Sequence, residues 1–105
     1  MQDYTLIRQG LPPLKFTGVE LGRGNVGGVT VTIYRTKASR YIGQIERRNR
    51  EEILSRNAAH YDTPLGVVNW LKEGEETLGK ASQDAIEMAC SHDEAFVRDW
   101  VEVVE

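Results

Sequence analysis

The chain of 105 residues contains one cysteine, three prolines, two histidines and two tryptophans. Each scarcity closes a class of explanation. Cys90 alone cannot form an internal disulfide, so nothing ties the fold to an oxidising compartment. A zinc site needs four well-spaced Cys or His ligands, or three plus water, and Cys90, His60 and His92 do not supply such a set. No apolar run approaches the ~18 residues of a membrane-spanning helix. The opening MQDYTLIRQG also lacks the apolar stretch of a secretory leader. The expectation is a cytoplasmic protein with no cofactor, no metal and no membrane partner.

What is present argues for a packed domain. A hydrophobic share of 40% with 28% charged residues is far from the composition of disordered chains. The length suits one domain and is short for two, so residues 1–105 are read as a single domain. A chain of this size buries roughly 60–70% of its extended surface.

Charge is unevenly spread. Residues 1–60 carry ten Lys and Arg against five Asp and Glu, a balance of +5. Residues 61–105 carry three against eleven, a balance of −8, and together these give the net −3. Such asymmetry either compensates across one folded surface or marks a polyanion partner or self-pairing.

Hydrophobic periodicity divides the chain the same way. Tyr4–Arg8 reads as a strand, broken by Gly10-Leu11-Pro12-Pro13, with Leu11 and Leu14 anchoring the crossing segment. Phe16–Leu21 alternates as a half-buried strand, followed by a glycine-rich loop over residues 22–28. Val29, Val31 and Ile33 form a core stripe with Thr30, Thr32 and Tyr34 opposite, and Arg40–Arg47 pairs back as a hairpin. After a charged turn at Asn49–Glu52, residues 53–61 fit a fifth strand, with a helix as the alternative. Asp62-Thr63-Pro64 is a helix start. Leu65, Val68 and Leu71 form its stripe, widened by Val67 and Trp70, and Gly74 is its expected C-cap before an acidic loop holding Glu75 and Glu76. Ala81–Cys90 is a second helix with Ala85, Ile86, Met88 and Ala89 inward. Ser91-His92-Asp93-Glu94 matches a capping box that opens a third helix to Val104, unless residues 81–104 form one continuous helix. Strands first and helices last predict an α+β fold. Its N-terminal antiparallel sheet of four to five strands is covered on one face by two or three C-terminal helices.

Few motifs carry chemistry. Gly22-x-Gly24-x-x-Gly27, between Leu21 and Val29, resembles the glycine-rich phosphate-covering loop of protein kinases over about nine residues. A kinase also needs a Val-Ala-Ile-Lys strand, His-Arg-Asp and Asp-Phe-Gly. The first region holds Arg40-Tyr41-Ile42-Gly43 and the other two do not occur. The glycines are therefore read as a hairpin loop. Cys90 and His92 point apart on a helix, and Ser55, Ser82 and Ser91 sit in no nucleophile-elbow context, so no enzyme activity is expected. Trp70 and Trp100 fall on apolar helix faces, where packing is the first reading and an interface the second.

The remaining constellation is basic. Arg35, Arg40, Arg47, Arg48 and Arg50, with Tyr34 and Tyr41 among them, form the candidate binding surface. Arg–phosphate contacts and aromatic stacking are the ingredients of single-stranded nucleic-acid binding, although alternation splits Arg47 and Arg48 between faces. The favoured reading is a non-catalytic binding or accessory module acting through protein–protein contacts. Its partner is another protein or a second copy, with Arg47, Arg48 and Arg50 meeting an acidic surface around Asp93, Glu94 and Asp99. The alternative is a nucleic-acid-binding domain using the Arg35–Arg50 region. A small-molecule pocket between sheet and helices comes third.

Overall fold

In a computed structural model, which describes residues 1–73, 78–102 and 104, five strands run in sequence order. They are β1 (Gln2–Arg8), β2 (Leu11–Val26), β3 (Val29–Thr36), β4 (Tyr41–Asn49) and β5 (Glu52–Tyr61). Each pairs antiparallel with the next, giving the order β1-β2-β3-β4-β5. Three helices follow: α1 (Pro64–Lys72), α2 (Lys80–Cys90) and α3 (Glu94–Trp100). This is the expected α+β arrangement. Residues 53–61 are strand, and the segment after Ala81 is two helices rather than one.

Strand β2 absorbs two stretches expected to be irregular. Pro12 and Pro13 lie inside it, and the reason is local. β3 joins β2 only from Gly18, opposite Thr36, so residues 11–17 have a strand on one side alone. A bulge between Leu6 and Arg8 loosens that side as well. Prolines, which donate nothing to a ladder, are tolerated at such edges and bulges. Leu14 packs inward as expected, whereas Leu11 is exposed. At the other end, only Gly27 and Gly28 form the turn, with φ of 59° and 80° between the paired Val26 and Val29. Positive φ at both central residues is the two-residue hairpin turn that matches strand twist.

Gly22 and Gly24 are therefore strand residues, and they are needed because α2 lies against them. A Cβ on Gly22 would stand 2.2 Å from the Ala85 carbonyl oxygen, and one on Gly24 2.0 Å from that of Ala81. The helix presents Ala81, Ala85 and Ala89, one turn apart, to this bare backbone. The resulting core joins Leu21, Val31, Ile33 and Tyr41 to Val67, Val68, Leu71, Ile86 and Phe96.

The opposite face of the sheet is also an interior. Leu6, Tyr34, Ile42 and Ala58 are buried there, with Tyr4, Leu14 and Phe16 packed against them. Because β1 and β5 both contribute, the sheet must curl around this face. The Gln9 amide donates to the Arg56 carbonyl at 3.2 Å, stitching the two outer strands. Three aromatic rings fill the curl, with centroid separations of 5.2 Å (Tyr4–Phe16), 4.8 Å (Tyr4–Tyr34) and 5.3 Å (Phe16–Tyr34).

The helix termini refine the expectations. Thr63 caps α1, its hydroxyl accepting from the Gly66 amide at 3.3 Å, with Pro64 at the first helical position. That phase buries Pro64, Val67, Val68 and Leu71 and turns Leu65 outward. Met88 of α2 likewise faces out. Gly74, Glu75 and Glu76 lie outside the described residues. The Ser91–Glu94 capping box does not form. Ser91 closes α2, and Asp93 caps α3 by accepting from the Ala95 and Phe96 amides at 2.8 and 3.3 Å. α3 stops at Trp100, where Val101 turns extended, short of the expected Val104. Among the described residues, no helix is long and apolar enough to cross a membrane.

Candidate functional site

The structure disperses the basic constellation. Arg40 and Arg50 stand at opposite ends of β4, roughly 30 Å apart along an extended strand. Arg35 donates to buried Asp93 at 2.9 Å. The Tyr41 hydroxyl contacts the same carboxylate at 3.1 and 3.3 Å. Asp93 thus serves two α3 amides, a guanidinium and a phenol, and clasps α3 to the sheet. It is not part of an exposed acidic surface. Burial pushes the Tyr41 phenol above its usual range, and the Asp93 hydrogen bond and charge push the same way.

Neither tyrosine offers an open ring face. Tyr34 and Tyr41 are 4% and 7% exposed. Tyr34 lies in the aromatic curl and donates to Gln44 Oε1 at 3.2 Å, its phenol raised first by burial and then by the Glu20 charge. Tyr41 meets Phe96 edge-on at 5.6 Å.

Arg40 is ion-paired with Asp62, and its Nη2 lies 2.9 Å from His60 Nδ1. A guanidinium has no acceptor, so in a hydrogen bond there His60 Nδ1 is the acceptor. Arg48 and Arg56 both contact Glu46, at 2.5 and 3.1 Å. The Arg48 hydrogen bond depresses the Glu46 carboxyl, partly opposed by burial and reinforced by both arginine charges. Arg47 and Arg50 are exposed, and no ion pair engages either among the described residues.

The histidines and the cysteine are not brought together. His92 Nδ1 sits 2.9 Å from the Met88 carbonyl, and Cys90 is half-buried against the helix-side core. Burial, then the Asp93 and Glu87 charges, raises the Cys90 thiol, which keeps it protonated and a poor nucleophile. Among the described residues, no group of three or more His, Cys, Asp or Glu is placed to hold a metal ion.

Three further surface features stand out. The first includes Trp100, for which the sequence allows an interface, and the third lies between sheet and helices, where a pocket is the third alternative. Leu65, Val97, Trp100 and Val101 are 47%, 41%, 41% and 52% exposed. Val97 and Trp100 share one side of α3, and Val101 follows directly at its C-cap. Leu65 lies at the start of α1, its amide 3.4 Å from Asp99 Oδ2 of α3. The outward phase of Leu65 follows from Pro64 at the helix start, a signal already present in the sequence. A second feature is a cleft of about 410 Å³ between the start of β2 and the β3–β4 turn. Leu14, Phe16, Ala38 and Ile42 supply its apolar wall, and Lys15, Lys37 and Arg40 its cations, with His60 beside Arg40. A third, of about 450 Å³, lies between the sheet and the first two helices, bordered by Val29, Ile45, Trp70 and Leu71 with Arg47 and Asn57. The clefts join residues distant in sequence and have no local signature. Compared with protein-family models, curated proteins and solved structures, the chain matches none.

Proposed function

We propose that the chain is a non-catalytic binding module that works through protein–protein contact at the surface where α1 meets α3. The observation that carries this reading is the set Val97, Trp100 and Val101 at the end of α3, with Leu65 at the start of α1, large apolar side chains left half-exposed where the two helices meet. Contiguous apolar surface costs solubility and marks interaction sites, and tryptophan is over-represented among residues that dominate binding energy. Exposed Glu94 and Glu102 flank the α3 stripe, so the fitting partner is a protein surface with an apolar centre and a basic rim. A second copy presenting Arg47 and Arg50 has that chemistry. A cytoplasmic setting belongs to the same reading.

The nucleic-acid alternative is disfavoured by the buried tyrosine rings and by the pairing of Arg35, Arg40 and Arg48 with carboxylates. The test is light scattering across a concentration series, followed by photocrosslinking in the native host from an analogue placed at Val97. A dimer or a defined crosslinked protein, lost in Leu65→Asp and Trp100→Asp, supports the reading once the purified pair rebinds. A monomer without crosslinks that binds oligonucleotides, steeply weakened by salt and by charge reversal of Arg47, Arg48 and Arg50, overturns it.

A further inference from the structure

The open end of the curled sheet carries a second kind of site, independent of the α1–α3 surface. Beyond the β3–β4 turn, β2 has no strand on its β3 side, so Leu14 and Phe16 border open space rather than a neighbouring strand. Ile42 forms the floor, and the turn at Thr36–Arg40 forms the opposite rim.

That rim is fixed by hydrogen bonds. The Thr36 amide donates to the Arg40 carbonyl at 2.8 Å, and the Arg40 amide returns a bond to Thr36 Oγ1 at 3.0 Å. The Ser39 amide donates to the Thr36 carbonyl at 2.9 Å, with Ser39 in the left-handed region at φ 61°. The Lys37 amide donates to the Thr17 carbonyl at 2.8 Å, tying the turn back to β2. A cleft walled by a strand and a pinned turn is preformed, which lowers the ordering cost of binding.

Its chemistry has two halves. The wall and floor are apolar, while Lys15, Lys37, Arg40 and His60 stand around them, and no carboxylate lines the cleft among the described residues. Arg40 shares its charge with Asp62, but no ion pair engages Lys15 or Lys37 among the described residues. The volume of about 410 Å³ falls within the ~300–1,000 Å³ range of small-ligand pockets.

We infer that this cleft binds a small amphipathic carboxylate, its hydrocarbon body against Leu14, Phe16 and Ile42 and its carboxylate between Lys15 and Lys37. The apolar half excludes simple anions from tight binding, and the cationic half favours an acid over the corresponding alcohol. Lys15 stands on β2 between Leu14 and Phe16, and Lys37 in the facing turn, so both borders of the cleft carry a cation.

The test uses the ¹⁵N-labelled full chain titrated with octanoate and followed by amide chemical shifts. Acetate, 1-octanol and inorganic phosphate serve as separate arms. Octanoate is expected to give saturable shifts at residues 14–17 and 37–42, at concentrations at least about tenfold lower than any of the other three. Lys15→Gln with Lys37→Gln removes two exposed charges and should weaken octanoate about tenfold while leaving distant amides unmoved. Shifts that never saturate, or that fall only on α1 and α3, overturn the inference. Equal binding of phosphate or of 1-octanol does so as well, as does undiminished binding by the double variant.

Discussion

The two faces of the sheet bury their apolar residues by opposite means. The helix-covered face works through closeness: Gly22 and Gly24 remove side chains so that Ala81, Ala85 and Ala89 rest on strand backbone, and Phe96 fills what remains. The inner face works through bulk, since Tyr4, Phe16 and Tyr34 occupy the space that a second helical layer would otherwise take. A helix needs a smooth bed, whereas a curl needs large rings to fill its axis. One sheet of modest length supplies both because successive side chains alternate between the faces.

Truncating one buried apolar residue on each side of the sheet is the strongest way to break the comparison. Phe96→Ala should cost about 4 kcal/mol and Leu6→Ala about 3 kcal/mol by urea denaturation, because each leaves a buried cavity. If Leu6→Ala costs under about 1 kcal/mol, the inner cluster is a cover rather than a core.

Glycine substitutions sharpen the idea of closeness. Gly24→Ala should cost about 3 kcal/mol, since its Cβ meets backbone that no rotamer change can move. Gly27→Asn, at φ 59° with open space around it, should stay within about 1 kcal/mol of wild type in the same denaturation series. Equal costs would mean that α2 shifts freely over β2.

The smallest effect distinguishes the faces by acid. Glu46 lies on the inner face with Arg48 and Arg56, and its folded carboxyl is depressed below the unfolded value. The unfolded chain therefore binds more protons across that interval, and stability rises with pH there. The contribution is complete above the unfolded pKa of ~4.3 and disappears as pH falls through the lowered folded value. Glu46→Gln should lose under about 1 kcal/mol at neutral pH and converge with wild type in strong acid. Thermal melts at stepped pH report that convergence, and parallel curves would remove Glu46 from the account.

The fold was legible where side-chain periodicity alone decides it. Val29-Thr30-Val31-Thr32-Ile33-Tyr34 alternates, Asp62-Thr63-Pro64 starts a helix, and the order of elements gave the α+β class. Errors arose where one residue type serves two ends. Gly22 and Gly24 read as loop because glycine marks turns, yet here it marks a helix pressed on a strand. The matching signal was the four-residue spacing of Ala81, Ala85 and Ala89. Ser91 read as a cap through its pattern with Glu94, but Asp93 offers a carboxylate that α3, Arg35 and Tyr41 all use. Site reading was weaker still. The arginines cluster in sequence because β3, β4 and the turns around β4 share them, and extended strands then carry them apart. Lys15 and Lys37 border one cleft only because β2 overruns its partner.

The order of the elements also bears on synthesis. The strands emerge before the helices, and each turn of the meander joins sequence neighbours, so hairpins form as the chain lengthens. The sheet therefore precedes its own cover, and Leu21, Val31 and Ile33 stay wet until α1, α2 and α3 leave the ribosome. The clasp from Arg35 to Asp93 spans 58 residues and cannot close until the start of α3 has emerged. The nascent chain is thus at its stickiest once the sheet is out and the helices are not, and slow translation over α1, α2 and α3 lengthens the interval in which a chaperone is needed.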